Sequence, residues 1–506
     1  MTKPVKNIVV VGGGTAGWLT AALVASHHQH ANTEQFTITL VESSDIPTVG
    51  VGEGTWPTMK NTLQQIGIKE SDLFKHCHAA FKQGGKFVEW VHGNGDAYYH
   101  PFTVPIGYGG IDLAPYTTHI ENFAVESNFQ QDICEAGLAP RTLAESEFQG
   151  HCNYGYHLDA GAFADLLKKH CKEHFKVNHI IDTVKQCVSH TKDYIDAIIL
   201  EKTGELTADL FVDCTGFSSL LLGQTLNVPF KKVDNILFND SALAMRVPYE
   251  NDDAPLACHT IATAQNAGWI WDIGLTNRRG VGHVYSSQFL SDDEAEANLR
   301  RYIGNASDNL TARKISFESG HREQFWKGNC VAVGMAAGFV EPLEATAIML
   351  IEISARYIAE NLPAEQSLMP LVEKRFNHQM NYRWGRIIDF LKFHYMLTKR
   401  PEPYWQAHCD EASIPQSLKD DLALWQYRGP TTNDFTSSIE LFPAASYQYV
   451  LYGMEFKPDF SRQGYLFNQQ QKAEQLMKRN TQITQQLLQN LPAHRDYINK
   501  WLASSH

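Results

Sequence analysis

The chain lacks the marks of several protein classes. Its nine cysteines, among them Cys77, Cys152 and Cys330, include no CxxC pair and no zinc-type spacing. Neither a disulfide scaffold nor a metal site is therefore expected, and the thiols read as reduced, mostly buried groups of a cytoplasmic protein. Positive charge is in short supply: 43 Lys and Arg against 56 Asp and Glu leave a net charge of -13. Binding a phosphate backbone needs clustered cations, so nucleic acid is not an expected partner. No apolar run suits a membrane span; the longest, Ile8 to Val24, is broken by three successive glycines. There is no internal repeat, low-complexity tract or flexible linker, and the first residues carry no signal-peptide pattern. A soluble globular protein is expected, and 506 residues exceed a single ordinary core.

What is present begins with βαβ grammar. Asn7 to Val11 is a short, nearly continuous apolar run, as a strand covered on both faces requires. Gly12-Gly13-Gly14-Thr15-Ala16-Gly17 follows, then an Ala- and Leu-rich helix from Trp18 to Ser26, then a strand from Phe36 to Val41 closed by Glu42. Gly12, Gly14 and Gly17 fit GxGxxG: tight turn, close approach to a pyrophosphate, and helix-to-strand packing. The helix start offers N–H groups to phosphates, and Glu42 stands where an acid can bind ribose hydroxyls.

Further buried strands are expected at Ala197 to Leu200, Leu210 to Val212 and Cys330 to Val333, and helices at Leu350–Leu362, Met369–Leu397 and Gln470–Leu491. The fold class is α/β, a Rossmann-like module over residues 1–350 and a mainly helical substrate module over 351–506. The glycine fingerprint alone does not separate FAD from NAD. Two later turns, Val212-Asp213-Cys214-Thr215-Gly216 and Val331 to Gly338, look like the flavin-contacting turns of two-domain FAD monooxygenases. Many of those carry Asp at the place of Met335, which weakens a simple hydroxylase reading.

Seven segments in order resemble the flavin-dependent tryptophan halogenase family over nearly the whole chain. They are Gly12 to Trp18, Val49-Gly50-Val51-Gly52-Glu53-Gly54-Thr55, Phe81-Lys82 ahead of Lys86 to Trp90, Tyr99-His100-Pro101-Phe102, Tyr156 to Ala160, Trp269-Ile270-Trp271-Asp272-Ile273, and Glu341 to Ala347. The resemblance implies that FADH2, supplied by a separate NAD(P)H-dependent flavin reductase, and O2 oxidise chloride or bromide to hypohalous acid. A lysine then delivers the halogen to a small aromatic, indole-type substrate. It places the cofactor against Gly12, Gly14, Thr15, Ala16, Gly17, Glu42, Gly52, Glu53, Val188, Gly334, Met335 and Ile348, and the halide at Thr346 and Ala347. Lys82 matches the essential lysine, with Lys86 its rival if the segment is helical, and Glu344 matches the essential acid.

His100 and Phe102 match residues flanking the substrate ring, and Tyr447 matches a residue gripping its amino-acid end. Gln448 stands where the family has a second tyrosine, and Gly274 replaces the proline of WxWxIP. Trp269 and Trp271 read equally well as core residues of one strand face. Homodimerisation stays open. The rival readings are an FAD-dependent aromatic hydroxylase, a non-catalytic flavin-binding protein and, more remotely, an NAD dehydrogenase.

Overall fold

The computed structural model describes residues 3–29, 36–45, 52–117 and 119–504; Val49 to Val51 of the second glycine-rich segment lie outside them. The boundary expected after residue 350 marks a change of composition, from mixed strand and helix to helix. By packing, the chain divides into two compact units, each drawn from three stretches. The first comprises Met1–Ala79, Leu158–Val233 and Glu318–Trp384, the second Ala80–His157, Asp234–Phe317 and Gly385–His506.

A six-stranded sheet centres the first unit, in the order Trp326–Lys327, Cys330–Ala332, Leu210–Asp213, Asn7–Val11, Thr37–Glu42, Asn178–Ile181. Its pairs are parallel except at the Trp326–Lys327 edge. Asn7–Val11 lies inside it, Val9 facing Phe211 on one side and Thr39 on the other. Helix Thr15–His27 is buried throughout Gly17–Ser26, as an all-round apolar helix must be. It packs against helices Ala160–His174 and Thr346–Asn361. Asp159 caps the former by accepting from the Ala162 N–H.

Two expectations shift. Ala197–Leu200 is a strand, but it belongs to a separate antiparallel sheet with Val184–Val188 and Gly204–Leu206. An apolar run of four residues does not say which sheet it joins. The helix over Leu350–Leu362 extends back to Thr346, the start expected for the halide residues, and Ala345 turns the chain in a left-handed conformation just before it.

The second unit is built on a seven-stranded sheet ordered Arg313–Ser316, Ser241–Pro248, Arg278–Tyr285, Trp269–Gly274, Thr260–Ala264, Gly84–Val88, Ala97–Pro101. Every pair is antiparallel except Thr260–Ala264 with Gly84–Val88. Trp90 anchors an aromatic core with Phe87, Trp269, Tyr395 and Trp405, and its indole N–H donates to the Ala262 carbonyl at 2.9 Å. Helix Ala444–Gly453, buried along Ala444–Tyr452, lies on the edge strand Ala97–Pro101. The long helices Met369–Met396 and Gln470–Asn490 form close to their expected bounds.

One buried charge in the first unit ties stability to pH. Glu352, inside helix Thr346–Asn361 and 3% exposed, accepts hydrogen bonds from Thr62 and Thr58. Burial pushes its carboxyl up to about 7, outweighing the hydroxyls and Arg356. A raised carboxyl favours the folded state only while it is protonated, so stability should fall as pH rises from about 4.5 to 7 and then level off. The loss is on the order of 3 kcal/mol. Glu352→Gln should raise the melting temperature at pH 8 and flatten this limb, which thermal melts across pH 4.5–8 would measure.

Candidate flavin site and substrate site

In the first unit the glycine turn sits at the carboxyl end of Asn7–Val11, where a parallel sheet leaves its crevice. Gly12 has φ +119°, and a Cβ there would lie 2.2 Å from the Cys214 carbonyl oxygen. A Cβ on Gly17 would lie 1.8 Å from the Gly12 carbonyl oxygen, and one on Gly334, at φ +71°, 2.8 Å from the Ala16 side chain. Gly12, Ala16, Gly17, Gly334 and Cys214 thus converge. Met335 joins them beside Gly216.

Asp213 holds the turn from Val212 to Gly216. Its buried carboxylate accepts from the Thr215 N–H and hydroxyl and from the N–H groups of Leu221 and Leu222. Glu42 lies over Gly13, its carboxylate bonded to Lys168 at 2.9 Å and His179 at 2.8 Å. Helix Thr15–His27 starts with no acidic residue in its first turn and no side-chain cap, so its N–H groups suit an anion.

Gly52 is buried and Glu53 half-buried, and desolvation pushes the Glu53 carboxyl up to about 7. Val188 ends the strand Val184–Val188 of the separate antiparallel sheet, paired with Ala197.

Glu344 is 7% exposed. Its carbonyl accepts from the Trp56 indole N–H at 2.8 Å. Ala345 follows at φ 53°, ψ 43°, a conformation costing a residue with a Cβ about 1 kcal/mol. Helix Thr346–Asn361 then begins, again without an acidic first turn or side-chain cap. Thr346 is buried, Ala347 half-buried and Ile348 buried. Trp56 went unread in the sequence, although it stands next to the Gly52-Glu53-Gly54-Thr55 segment.

In the second unit the two lysines of this segment are placed differently. The segment is not helical: Ala80–Lys82 and Gly84–Val88 are strands. Lys82 is 4% exposed with its Nζ 5.2 Å from the Phe102 ring centre, whereas Lys86 reaches outward to Glu135 at 2.7 Å. The Phe102 N–H donates to the Gln83 carbonyl, and Gly84, at φ +153°, passes so close that a Cβ would lie 2.5 Å from the His100 carbonyl oxygen. Lys82, His100 and Phe102 are thereby gathered. His100 is 4% exposed and its Nε2 meets the Ser446 hydroxyl at 2.9 Å.

Tyr447, one residue on, lies in an aromatic core. It stacks on Phe435 at 4.4 Å, and its hydroxyl accepts from Arg386 at 2.7 Å. Arg386 also faces Glu440 at 3.5 Å, and Glu440, Phe435, Tyr108 and Ala444 line a pocket of about 210 Å³. Gln448 donates to the Pro430 carbonyl at 2.9 Å and to Asp112 at 3.3 Å. Burial pushes the Asp112 carboxyl up to about 6. Asp112 and Ser446 meet Gln448 and His100 across hundreds of positions, and Arg386 meets Tyr447 across 61, so spacing does not show these meetings.

The family model described as tryptophan halogenase matches residues 7–467. The chain belongs to the tryptophan halogenase family. It is similar to a tryptophan halogenase from Shewanella frigidimarina NCIMB 400, at 44% identity and TM-score 0.93 over 99% of this chain and 98% of that one. A 7-chloro-L-tryptophan 6-halogenase, KtzR, from Kutzneria sp. (strain 744) is 32% identical over 97% of this chain and 98% of its own length. BrvH, a flavin-dependent halogenase from Brevundimonas sp. BAL3, is 30% identical with TM-score 0.86, covering 98% of this chain and 99% of that one. The α/β fold and flavin-dependent halogenase chemistry follow.

A halogenase needs a flavin seat, and Gly14 tests the fit. Gly12, Gly17 and Gly334 abut protein atoms, but a Cβ on Gly14 would meet nothing within 4 Å. The cradle therefore has open space at the position that lets backbone approach a pyrophosphate. Gly14→Ala should leave the melting temperature within about 1 °C of wild type, since surface changes without lost contacts are near neutral. FAD affinity, read by flavin fluorescence titration, should fall at least about tenfold. Gly12→Ala should lose both stability and FAD. Unchanged affinity in Gly14→Ala would place the dinucleotide elsewhere.

Proposed function

We propose that the chain halogenates an electron-rich, indole-type ring, with Lys82 as the residue that carries the halogen. The observation behind this reading is a lysine 4% exposed, with its Nζ 5.2 Å from the Phe102 ring centre and three residues before Gly85, the register partner of His100. Burying an ammonium group is expensive, and a solvated surface lysine would not be held there.

Bound reduced FAD and O2 supply the oxidising power that turns chloride or bromide into hypohalous acid. The residues to hold FAD are Gly12, Gly14, Thr15, Ala16, Gly17 and Glu42, with Gly52, Glu53, Val188, Gly334, Met335 and Ile348 assigned by family likeness. The N–H groups of Thr346 and Ala347 are suited to the halide.

Lys82 acts on the acid either by hydrogen bonding or by exchange. In the second route amine and HOX give N–X and water; the ring then takes X and its displaced proton restores the N–H. Either way the halogen is presented at one fixed point, which is how positioning becomes regiochemistry. Glu344 is assigned the acid–base step, accepting the proton the ring loses in the hydrogen-bonding route or polarising the bound acid. His100 and Phe102 offer flat faces to the ring.

Tyr447 contributes through its hydroxyl or as packing behind Ser446. The amino-acid end of a substrate has Gln448 and Asp112 to meet, instead of a tyrosine pair. An indole-bearing molecule other than free tryptophan is therefore the favoured substrate. The flavin comes from a separate NAD(P)H-dependent reductase.

The experiment combines purified chain, FAD, a flavin reductase with NADH, O2, and indole or L-tryptophan, with chloride and bromide in parallel. Mass spectrometry should show the halogen isotope pattern in an indole product. Lys82→Ala and Glu344→Gln should each cut halogenated product by about 10²–10⁴-fold, with flavin binding intact and Lys86→Ala near wild type. A hydroxylated, halide-independent product that survives Lys82→Ala would instead establish the aromatic hydroxylase. FAD binding with no product under any halide would establish a non-catalytic flavoprotein.

A further inference from the structure

The sequence shows no metal-ligand spacing, yet the second unit assembles a soft donor set across a sequence separation of 124. Cys134 lies in the last turn of the helix Gln130–Glu135. Cys258 and His259 immediately precede the strand Thr260–Ala264. All three are buried, at 3%, 0% and 6% exposure, and their sulfur and imidazole donor atoms lie within 4.8 Å of one another. Cys258 Sγ stands 3.9 Å from His259 Nδ1 and 3.8 Å from the Cys134 carbonyl oxygen. The Tyr99 ring closes one side, edge-on to His259 at 5.6 Å and packed against both thiols.

We propose that Cys134, Cys258 and His259 form a zinc(II) site. Thiolate and imidazole donors select a soft or borderline ion and disfavour magnesium and calcium, which require oxygen. Charge selects among the rest. Two thiolates and a neutral imidazole carry -2, so a divalent ion makes the site neutral and removes most of the cost of burying it. A copper(I) ion would leave one uncompensated negative charge in the core. Binding balances as two thiols plus Zn²⁺ giving a zinc dithiolate and two protons. A disulfide would use the two sulfurs and leave the imidazole without a part; a metal uses all three.

The position also has a consequence for the reaction. The Cys258 carbonyl accepts the Gln83 N–H at 2.7 Å, one residue from Lys82. Zinc would tie the helix Gln130–Glu135 to the backbone against which that residue is aligned. It acts as a brace and not as a reagent, so the inference stands whether or not Lys82 carries the halogen.

The test uses the full-length chain, stripped with a chelator under reducing conditions and titrated with zinc(II) against a chromophoric competitor. Wild type should bind one tight equivalent, release about two protons per ion near neutral pH and melt at a higher temperature when loaded. Cobalt(II) in its place should show sulfur-to-metal charge-transfer absorption. Cys134→Ala and Cys258→Ala, which keep the core apolar, should lose that equivalent and the absorption band while still binding FAD. His259→Gln should weaken zinc at least about tenfold. The proposal is overturned by no tight equivalent in wild type, by uptake the variants leave unchanged, or by a Cys134–Cys258 disulfide in peptide maps of protein isolated without reductant. Should an alanine variant fail to bind FAD, Cys258→Ser supplies the same comparison.

Discussion

Two strand ends in the first unit approach so closely that no side chain fits between them, and the candidate flavin site depends on that approach. Val11 and Asp213 are register partners in neighbouring parallel strands. The residues that follow, Gly12 and Cys214, leave the sheet together, the Cys214 N–H donating to the Val11 carbonyl and the Gly12 N–H to the Val41 carbonyl. A Cβ on Gly12 would meet the Cys214 carbonyl oxygen, so the turn is closed only because that Cβ is missing. The same turn places the Gly12 carbonyl under Gly17 and thereby sets the height of helix Thr15–His27 above the sheet. Asp213 then spends its carboxylate on four donors of the following loop. Backbone proximity, loop shape and helix placement are thus one constraint expressed three times.

That constraint explains what could be read from the sequence. Gly12, Gly14 and Gly17 have local reasons for being glycine, and local reasons leave local patterns. The apolar run at Asn7–Val11, the all-round apolar helix after it and the long helix at Gln470–Asn490 are legible for the same reason: burial imposes its period over adjacent residues. Ala197–Leu200 was legible as a strand but not as a member of an antiparallel sheet, because partner choice is decided by distant residues.

Lys82 marks the limit more sharply. Four positions separate it from Lys86, and in a helix the two would share a face. In the fold they belong to successive strands joined through Gln83, one lysine buried beside Phe102 and the other paired with Glu135. Ser446 at His100, Asp112 at Gln448 and Cys134 at Cys258 are meetings across long loops. Nothing in spacing forecasts them, and scattered cysteines read as inert until the topology brings them side by side.

The buried lysine also bears on how such a protein survives its own chemistry. Hypohalous acid attacks electron-rich rings without much discrimination, and the second unit is full of them: Trp90, Trp269, Trp271, Trp405 and Tyr395 pack its core. Burial at 0–6% exposure shields those rings kinetically, since an interior packed to crystal-like density has no path for a free oxidant. An amine at the end of a strand offers the reverse, a nucleophile stronger than the Phe102 ring beside it and held at a fixed place. The paired tryptophans of Trp269–Gly274 therefore need no contact with substrate to matter. By filling the sheet's interior, with Trp271 against Gly282 where a Cβ would lie 2.2 Å from the indole ring, they remove space in which an oxidant could stray. On the role proposed for Lys82, packing in the core and selectivity at that amine are two sides of one requirement: the halogen should meet one buried nitrogen before it meets any ring of the protein.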